Sequence, residues 1–259
     1  MILRTHSKGS IENAKRIVDD ELEQLKLKCI FSLFRSCANA TSSGLPITVT
    51  LFDDHSSSSF LDRLPALSSQ FNLKVDVVNL EETGYNNSAF QQYKKASQCE
   101  YLTYIVEDDY FHSEDAIIEL WNSFHYFTKF IPFGEIGIFP FDCPDRYDTQ
   151  REPISSCKLF YGNGRYWKTV KHTTITSLYH SHTIRRYFPI FEKLALDYPN
   201  VNESTTINLL YNNMVEHAGP ITMFSPIPSL AIHMSYDEPT SINTSMFNWK
   251  EQWTQINDY

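Results

Sequence analysis

The first half of the chain alternates short apolar runs with amphipathic stretches. The apolar runs are typical of buried strands and fall at residues 2–5, 45–52, 73–80 and 101–106. Between them, apolar side chains recur at helical spacing, which predicts helices at about 10–36, 58–70 and 88–97. Strands separated by helices indicate βαβ units. We therefore expect an α/β fold with a mostly parallel central sheet and helices on both faces.

The second half is less regular. Its pattern predicts further strands at 136–139, 157–161, 173–178, 221–224 and 230–233. Helices are predicted at 113–127, 181–196 and 203–216. A stretch rich in Pro, Asp and Arg, 141–156, is expected to be a loop. Because no repeat and no linker interrupts the pattern, we expect a single domain over residues 1–259.

Composition narrows the range of partners. The 259 residues are 42% hydrophobic, and 22 Lys and Arg against 31 Asp and Glu give a net charge of −9. That balance argues against a nucleic-acid-binding protein, which needs clustered cations. No apolar run reaches the roughly 18 residues of a membrane span. Five cysteines without a CxxC pair and a start without a basic-then-apolar leader predict a reducing, cytoplasmic location.

Three acidic residues directly follow the fourth predicted strand: Glu107, Asp108 and Asp109. Adjacent carboxylates repel each other by on the order of 1 kcal/mol per pair in water, and by more when partly desolvated. A hard divalent cation removes this repulsion, and Mg²⁺ or Mn²⁺ binds carboxylates together with substrate phosphates. A solvated acidic turn is the alternative, but the position after an apolar strand favours a functional site.

Two other predicted strands also end in polar residues. Thr5 ends the first strand, and Asp53 and Asp54 follow the second. Because ligands bind outside the carboxyl ends of parallel strands, we expect these residues to converge with the acidic triplet. An Asp at such a position can accept hydrogen bonds from a nucleobase or a ribose. It can equally cap the next helix through an Asx-turn, and the sequence leaves both readings open.

The segments 3–5, 49–56 and 101–109 together resemble family 2 glycosyltransferases with the GT-A fold. The resemblance covers residues 1 to about 120 and implies a Rossmann-like fold that binds a nucleoside-diphosphate sugar. UDP is the commonest nucleotide in that family. Residues 1–120 would form the nucleotide-sugar-binding half and 121–259 the acceptor-binding half.

Site roles follow from the resemblance residue by residue. It implies that Thr5 and the Asp53–Asp54 pair bind the nucleoside, with Asp54 at the base. Asp108 would approach the ribose, and Asp109 would bind the metal, Mn²⁺ or Mg²⁺. Glu107 stands where the DxD-type motif has its first carboxylate. The implied reaction is transfer of the sugar to a glycan or other hydroxyl acceptor.

Two features of the second half fit such a reaction. His233 follows an apolar strand where many GT-A enzymes place a histidine that binds the metal, although a structural histidine is the alternative. An inverting transferase also needs a general base for the acceptor hydroxyl. Glu203, at the start of the predicted helix 203–216, is the first candidate, and Asp197 is the second. Glu203 could instead only stabilise the first helical turn through the helix dipole.

Acceptor-binding residues are expected in irregular stretches that combine aromatic, acidic and basic side chains. Aromatic faces stack on sugar rings, and Asp or Arg side chains bind hydroxyls. Such residues lie within 142–147 and 162–167, which could also be ordinary surface loops. The candidates are Asp142, Asp145, Arg146 and Trp167.

Two other function classes remain open. A sugar-nucleotide nucleotidyltransferase also uses carboxylates and a metal, but it usually has a Gly-rich phosphate loop, and residues 5–10 contain one Gly. A non-catalytic carbohydrate- or nucleotide-binding module would explain the aromatic residues but not the acidic triplet. No P-loop motif GxxxxGK[ST] occurs.

Overall fold

A computed structural model describes residues 1–7, 17–131, 135–143, 156–234 and 248–256. Its first half contains four strands: β1 (Ile2–Thr5), β2 (Val49–Asp53), β3 (Val75–Asn79) and β4 (Leu102–Glu107). Four helices connect them: α1 (Leu22–Ser42), α2 (Ser58–Leu61), α3 (Leu64–Gln70) and α4 (Tyr85–Gln98). All four strands lie within or next to the predicted apolar runs. The N-terminal part of the first predicted helix lies outside the described residues.

These strands form a parallel unit in the order β3-β2-β1-β4. In this register Thr5 lies beside Asp53, and Arg4 lies beside Glu107. The carboxyl ends of β1, β2 and β4 therefore meet at one edge of the sheet, as the strand pattern predicted. Gln92 of α4 ties the helix to this sheet, because its side-chain amide donates to the carbonyls of Ile2 and Val106 at 3.1 and 2.9 Å.

The second half adds eight strands and four helices among the described residues. The strands are β5 (Tyr110–His112), β6 (Glu135–Ile138), β7 (Leu159–Gly162), β8 (Arg165–Thr169), β9 (Ser177–His180), β10 (Tyr211–Asn212), β11 (Ile221–Ile227) and β12 (Ala231–His233). The helices are α5 (Ala116–Thr128), α6 (Ser181–Arg186), α7 (Phe188–Asp197) and α8 (Trp249–Gln255).

The central sheet continues from β4 through β9, β6, β11 and β8 to β7. Strand β9 is antiparallel to both β4 and β6, whereas β6 and β11 are parallel. Helix α4 packs against α6 and α7, and α1 packs against α5. Strands β5 and β12 form a separate antiparallel pair beyond the end of β4. The predicted α/β class, with a mostly parallel sheet flanked by helices, is confirmed.

The predicted helix 203–216 is wrong. Short 3-10 turns at Glu203–Thr205 and Ile207–Leu210 replace it, followed by β10. The Asn202 side chain accepts from the backbone N–H of Thr205 at 3.1 Å. Further on, the side-chain carbonyl of Asn213 accepts from the backbone N–H groups of 215, 216 and 217. These side chains offer the backbone partners that compete with a helix, so Glu203 opens a 3-10 turn and not a helix.

The stretch 162–167 is also not an irregular loop. Residues 163 and 164 form the two-residue turn of the β7–β8 hairpin, and the flanking residues belong to its strands. The φ angles of Asn163 and Gly164 are positive, 51° and 80°. Such a turn suits the twist of a hairpin and favours Asn-Gly. The strand predicted at 173–178 lies instead at Ser177–His180. In the parts of the chain that are described, no helix is long and apolar enough to cross a membrane.

Candidate functional site

Asp108 is the central carboxylate at the sheet edge where β1, β2 and β4 end. Its Oδ2 atom accepts from the Thr5 hydroxyl at 2.7 Å and from the backbone N–H of His6 at 2.9 Å. The Nζ atom of Lys26 lies 3.1 Å from the same oxygen. Lys26 is 4% exposed and Asp108 is 8% exposed, so this ion pair is buried. The structure thus brings Thr5 and Asp108 together and adds a lysine from α1.

Glu107 is held by a second cation. Arg4 Nη2 donates to Glu107 Oε1 at 2.6 Å, and the guanidinium lies 4.5 Å from the ring centroid of Tyr85. The backbone N–H of Glu107 donates to the Thr176 hydroxyl at 3.2 Å. Burial raises the pKa of Glu107, Arg4 opposes this, and the charge of Asp109 adds to the rise. The carboxylate of Glu107 therefore already has a partner within the protein, the guanidinium of Arg4.

Asp109 is paired with His233. The Asp109 Oδ2 and His233 Nε2 atoms are 2.9 Å apart. The His233 ring stacks on Tyr110 with centroids 4.7 Å apart, because β12 and β5 place the two residues opposite each other. Burial lowers the pKa of His233, but the charge and hydrogen bond of Asp109 raise it by more. Asp109 and His233, both proposed from the resemblance as metal ligands, are therefore brought into direct contact.

The carboxylates of Asp53 and Asp54, after β2, accept hydrogen bonds from backbone N–H groups. Both carboxylate oxygens of Asp53 accept from the N–H of Ser56, at 3.2 and 3.3 Å. Both oxygens of Asp54 accept from the N–H of Gly84, at 3.0 and 2.9 Å. The two residues are 3% and 2% exposed. The turn-forming role that the sequence left open is therefore present at Asp53, and Asp54 fixes the start of α4.

The two candidate bases lie on different parts of the same segment. Asp197 is exposed at the last residue of α7. Glu203 is half-buried, and its charge contributes to the raised pKa of Tyr85, after the larger effects of burial and Glu107. The Tyr85 ring also lies 4.4 Å from that of Tyr198. Through Tyr85, the segment that carries Glu203 is joined to the sheet edge that carries Glu107.

The two acceptor candidates among the described residues, Asp142 and Trp167, are buried. Trp167 is fully buried, and its ring packs edge-on against Phe127 in the core, so it has no free face for a sugar. Asp142 is also fully buried and forms an ion pair with Lys168. Asp145 and Arg146 lie outside the described residues. The prediction of Trp167 as an exposed stacking residue is therefore corrected by its place in β8.

A divalent cation is compatible with the donor atoms at this edge. Asp109 and His233 offer a carboxylate oxygen and an imidazole nitrogen, a set that suits Mn²⁺. Within the described ranges, no group of three or more His, Cys, Asp or Glu is arranged to hold a metal. Mg²⁺ and its substitutes are commonly bound by one or two protein ligands together with substrate phosphates and waters. The residues therefore fit a cation that is shared with a diphosphate.

Sequence reasoning missed Arg4 and Lys26. Both are cations whose charges meet the acidic triplet, Arg4 from within β1 and Lys26 from the first turns of α1. Arg4 directly precedes Thr5, and a charged residue inside a short apolar strand could have indicated a partner of opposite charge at the strand end. Lys26 gives none, because its neighbours are ordinary residues of an amphipathic helix.

A cavity of about 480 Å³ lies elsewhere, at the opposite edge of the sheet. Its lining includes Met1 and Leu102, at the amino-terminal ends of β1 and β4. Because Leu102 and Glu107 are at the two ends of β4, roughly 17 Å separates this cavity from the acidic triplet. We place the candidate site at the acidic triplet, where the charged groups converge, and treat the cavity as distinct from it.

Comparison with known proteins gives matches among solved structures only. No family model matches this chain, and no curated protein matches it. S. aureus TarS aligns with a TM-score of 0.48 and 14% identity over 86% of this chain and 35% of that chain. S. aureus TarS 1-349 in complex with UDP-GlcNAc aligns with a TM-score of 0.46 and 13% identity, over 92% of this chain and 60% of that chain. HddC from Yersinia pseudotuberculosis aligns with a TM-score of 0.43 and 13% identity, over 91% of this chain and 93% of that chain. This chain thus spans about a third of the first TarS structure and three fifths of the second.

Proposed function

We propose that this protein is a metal-dependent glycosyltransferase that moves a sugar from a nucleoside-diphosphate donor, UDP-linked, to the hydroxyl of a glycan or other acceptor. One observation carries the proposal. Three parallel strands end at one edge with Thr5, the Asp53–Asp54 pair and the acidic triplet, and β12 brings His233 to 2.9 Å from Asp109. A nucleotide, a diphosphate and a cation require this combination of polar groups at the carboxyl end of a sheet.

The donor would lie along this edge. Thr5 and Asp54 would face the nucleoside, Asp108 the ribose, and Asp109 with His233 the cation. Asp54 already holds the N–H of Gly84, so contact with a base would use the remaining lone pairs of its carboxylate. A cation bound here would supply charge neutralisation for the diphosphate leaving group. Arg4 and Lys26 would hold the carboxylates of Glu107 and Asp108 in place.

The acceptor hydroxyl needs a proton acceptor if the reaction inverts the anomeric carbon. We propose Glu203 for this role over Asp197. Glu203 is close enough to Tyr85 for its charge to act on the phenol, and the Tyr85 ring lies under Arg4 at the site edge. Asp197 is exposed at the last residue of α7.

A thermal-shift panel tests the proposal. UDP, GDP, dTDP and CDP are each added with Mn²⁺ and with EDTA. A ligand that binds only the folded state raises its stability by about 2.7 kcal/mol at a hundredfold excess over Kd. We expect one nucleoside diphosphate, UDP, to raise Tm with Mn²⁺ and to lose that effect in EDTA.

The remaining outcomes separate the alternatives. UTP is tested alongside the panel under the same conditions, and a shift with UTP that exceeds the shift with UDP would favour a nucleotidyltransferase. A shift that survives EDTA, without turnover of UDP-sugars, would favour a binding module. If none of the nucleotides shifts Tm, the proposed function is wrong.

A further inference from the structure

The cavity of about 480 Å³ at the amino-terminal edge of the sheet has the construction of a ligand pocket. Parts of the chain that are distant in sequence supply its walls: α1, the segment before β2, the start of β4, α5 and β9. Small-molecule sites typically measure about 300–1,000 Å³ and are mainly lined by apolar and aromatic side chains. The size and the enclosure by several elements fit a compact molecule better than a peptide lying in a groove.

The lining is apolar and aromatic. Aliphatic side chains come from Ile117 and Leu120 of α5 and from Leu178 of β9, and aromatic rings come from Tyr101, Tyr104 and Trp121. Tyr101 is 72% exposed, which places it at the mouth, whereas Tyr104 is buried. The walls therefore offer an apolar interior with an aromatic rim.

Polar groups of the wall already have partners inside the protein. The Tyr104 hydroxyl and His112 Nε2 are 2.8 Å apart, and the hydroxyls of Thr103 and Ser181 are 2.6 Å apart. Burial raises the pKa of the Cys37 thiol to about 12, so this wall residue is neutral. Among the described residues that line the cavity, only Glu100 has a charged side chain, and it is exposed. The amino group of Met1, also in the lining, already donates to the Thr48 carbonyl at 2.7 Å, and burial lowers its pKa. A charged ligand would lose its hydration here without gaining a buried partner.

We propose that this cavity is a second binding site, for an uncharged apolar or aromatic small molecule. The site is separate from the sheet edge of the candidate transferase site. Its occupation is independent of the proposed function, so either can fail without the other.

The probe for the test is N-phenylnaphthylamine, a neutral fluorescent molecule. We expect saturable binding with one probe per chain. The variant Ile117→Trp fills the cavity from α5 and is expected to weaken binding at least about tenfold. Ile190→Trp is the matched control, because Ile190 is also a partly buried isoleucine on a helix but lies on α7, away from the lining. Near-native circular dichroism of both variants is required for the comparison.

A second readout uses the wild-type protein and therefore does not depend on the folding of a variant. Cys99 lines the cavity, whereas Cys157 is exposed before β7. Saturating probe should slow the alkylation of Cys99 by N-ethylmaleimide and leave the rate at Cys157 unchanged.

Three results would overturn the proposal. They are the absence of saturable probe binding, equal binding by wild type and Ile117→Trp, and equal slowing of alkylation at both cysteines. A dimer in solution with Cys99 protected in the absence of probe would also overturn it, because a second copy would then cover the cavity.

Discussion

Two acidic strand ends, those of β2 and β4, lie at the same sheet edge with β1 between them, and they are stabilised in different ways. Asp53 and Asp54, after β2, direct their carboxylates at the backbone N–H groups of Ser56 and Gly84. Glu107, Asp108 and Asp109, after β4, direct theirs at Arg4, Lys26 and His233. Asp53 completes a turn of its own neighbourhood, and Asp54 holds the N–H of Gly84 at the start of α4, 30 residues along the chain. The second set meets two cations, Arg4 and Lys26, and the imidazole of His233, which come from three other elements.

The difference suggests different tasks. A carboxylate that accepts local N–H groups shapes the chain around it, and this need is independent of any ligand. Cationic partners from β1 and α1 offset the repulsion between adjacent carboxylates, and β12 adds the hydrogen-bonding imidazole of His233. Such an arrangement suits a site where further charge arrives, in the form of a cation and a diphosphate. The predictions below test this contrast, from the largest expected effect to the smallest.

Removing one partner of a buried ion pair should have the largest effect. Lys26→Met leaves Asp108 without its cation, and breaking a buried pair from one side costs about 3–5 kcal/mol. Urea unfolding measures the loss. The double variant Lys26→Met/Asp108→Asn should recover more than half of it, because the unpaired charge is gone. Lys94→Met, at an exposed lysine of α4, should stay within about 0.5 kcal/mol of wild type. Equal losses in the single and double variants would contradict the pairing.

Asp109→Ala should abolish the Mn²⁺-dependent thermal shift produced by UDP. Loss of a carboxylate that binds the cation should raise Kd for UDP at least about a hundredfold, or about 2.8 kcal/mol. Asp76→Asn, at an exposed carboxylate of β3, is the control and should keep the shift. A normal UDP shift in Asp109→Ala would remove Asp109 from the metal site. The proposed function itself would still rest on the wild-type shift.

The buried His112 predicts a loss of stability in acid. Burial lowers its pKa to about 3, and Tyr104 lies 2.8 Å from Nε2. An unfolded histidine has a pKa of about 6.5, so both states are neutral above that pH and stability is complete. As pH falls from about 6.5 towards 3, the unfolded state alone takes up a proton. Stability then falls by about 1.4 kcal/mol per pH unit, or about 2 kcal/mol between pH 7 and pH 5.

Urea unfolding of wild type and His112→Phe at both pH values measures this effect. The variant should be less stable at pH 7 but should show a shallower decline towards pH 5. The same slope in both proteins would assign the acid sensitivity to other groups. His233 contributes with the opposite sign, because its pKa is raised.

Asp53→Asn should have the smallest effect, less than about 1 kcal/mol. The amide oxygen of asparagine still accepts from the N–H of Ser56, which is the contact that Asp53 makes. Thermal unfolding measures the change. A loss of several kcal/mol would mean that the charge of Asp53, and not only its oxygen, is needed, and the contrast between the two strand ends would fail.

The strands of the parallel unit could be predicted from sequence because buried parallel strands are continuous apolar runs. Strand β1 lies at the predicted residues 2–5, and the polar residues that follow β1, β2 and β4 converge as expected. Their partners could not be predicted. Nothing in the pattern of α1 indicates that Lys26 meets Asp108, and nothing in the pattern of α4 indicates that Tyr85 lies beneath Arg4, since both contacts depend on tertiary packing.

The second half was predicted less well for two physical reasons. Around Glu203, apolar spacing favours a helix, but Asn202 and Asn213 bind the nearby backbone and prevent it. At 162–167, the polar composition conceals a hairpin, although Asn163-Gly164 is among the strongest short signals for one. Trp167 was therefore expected on a surface, whereas strand alternation in β8 buries it.

The contact between Asp109 and His233 joins residues 124 positions apart in the chain. During synthesis, the whole parallel unit can leave the ribosome before His233 does. Contacts of such separation form late, because the long loop between them must first lose its freedom. Folding of the sheet and maturation of the site are therefore separate events in time. A nascent chain that has completed α5 already carries its acidic triplet, but it still lacks one of the two residues proposed to hold the metal.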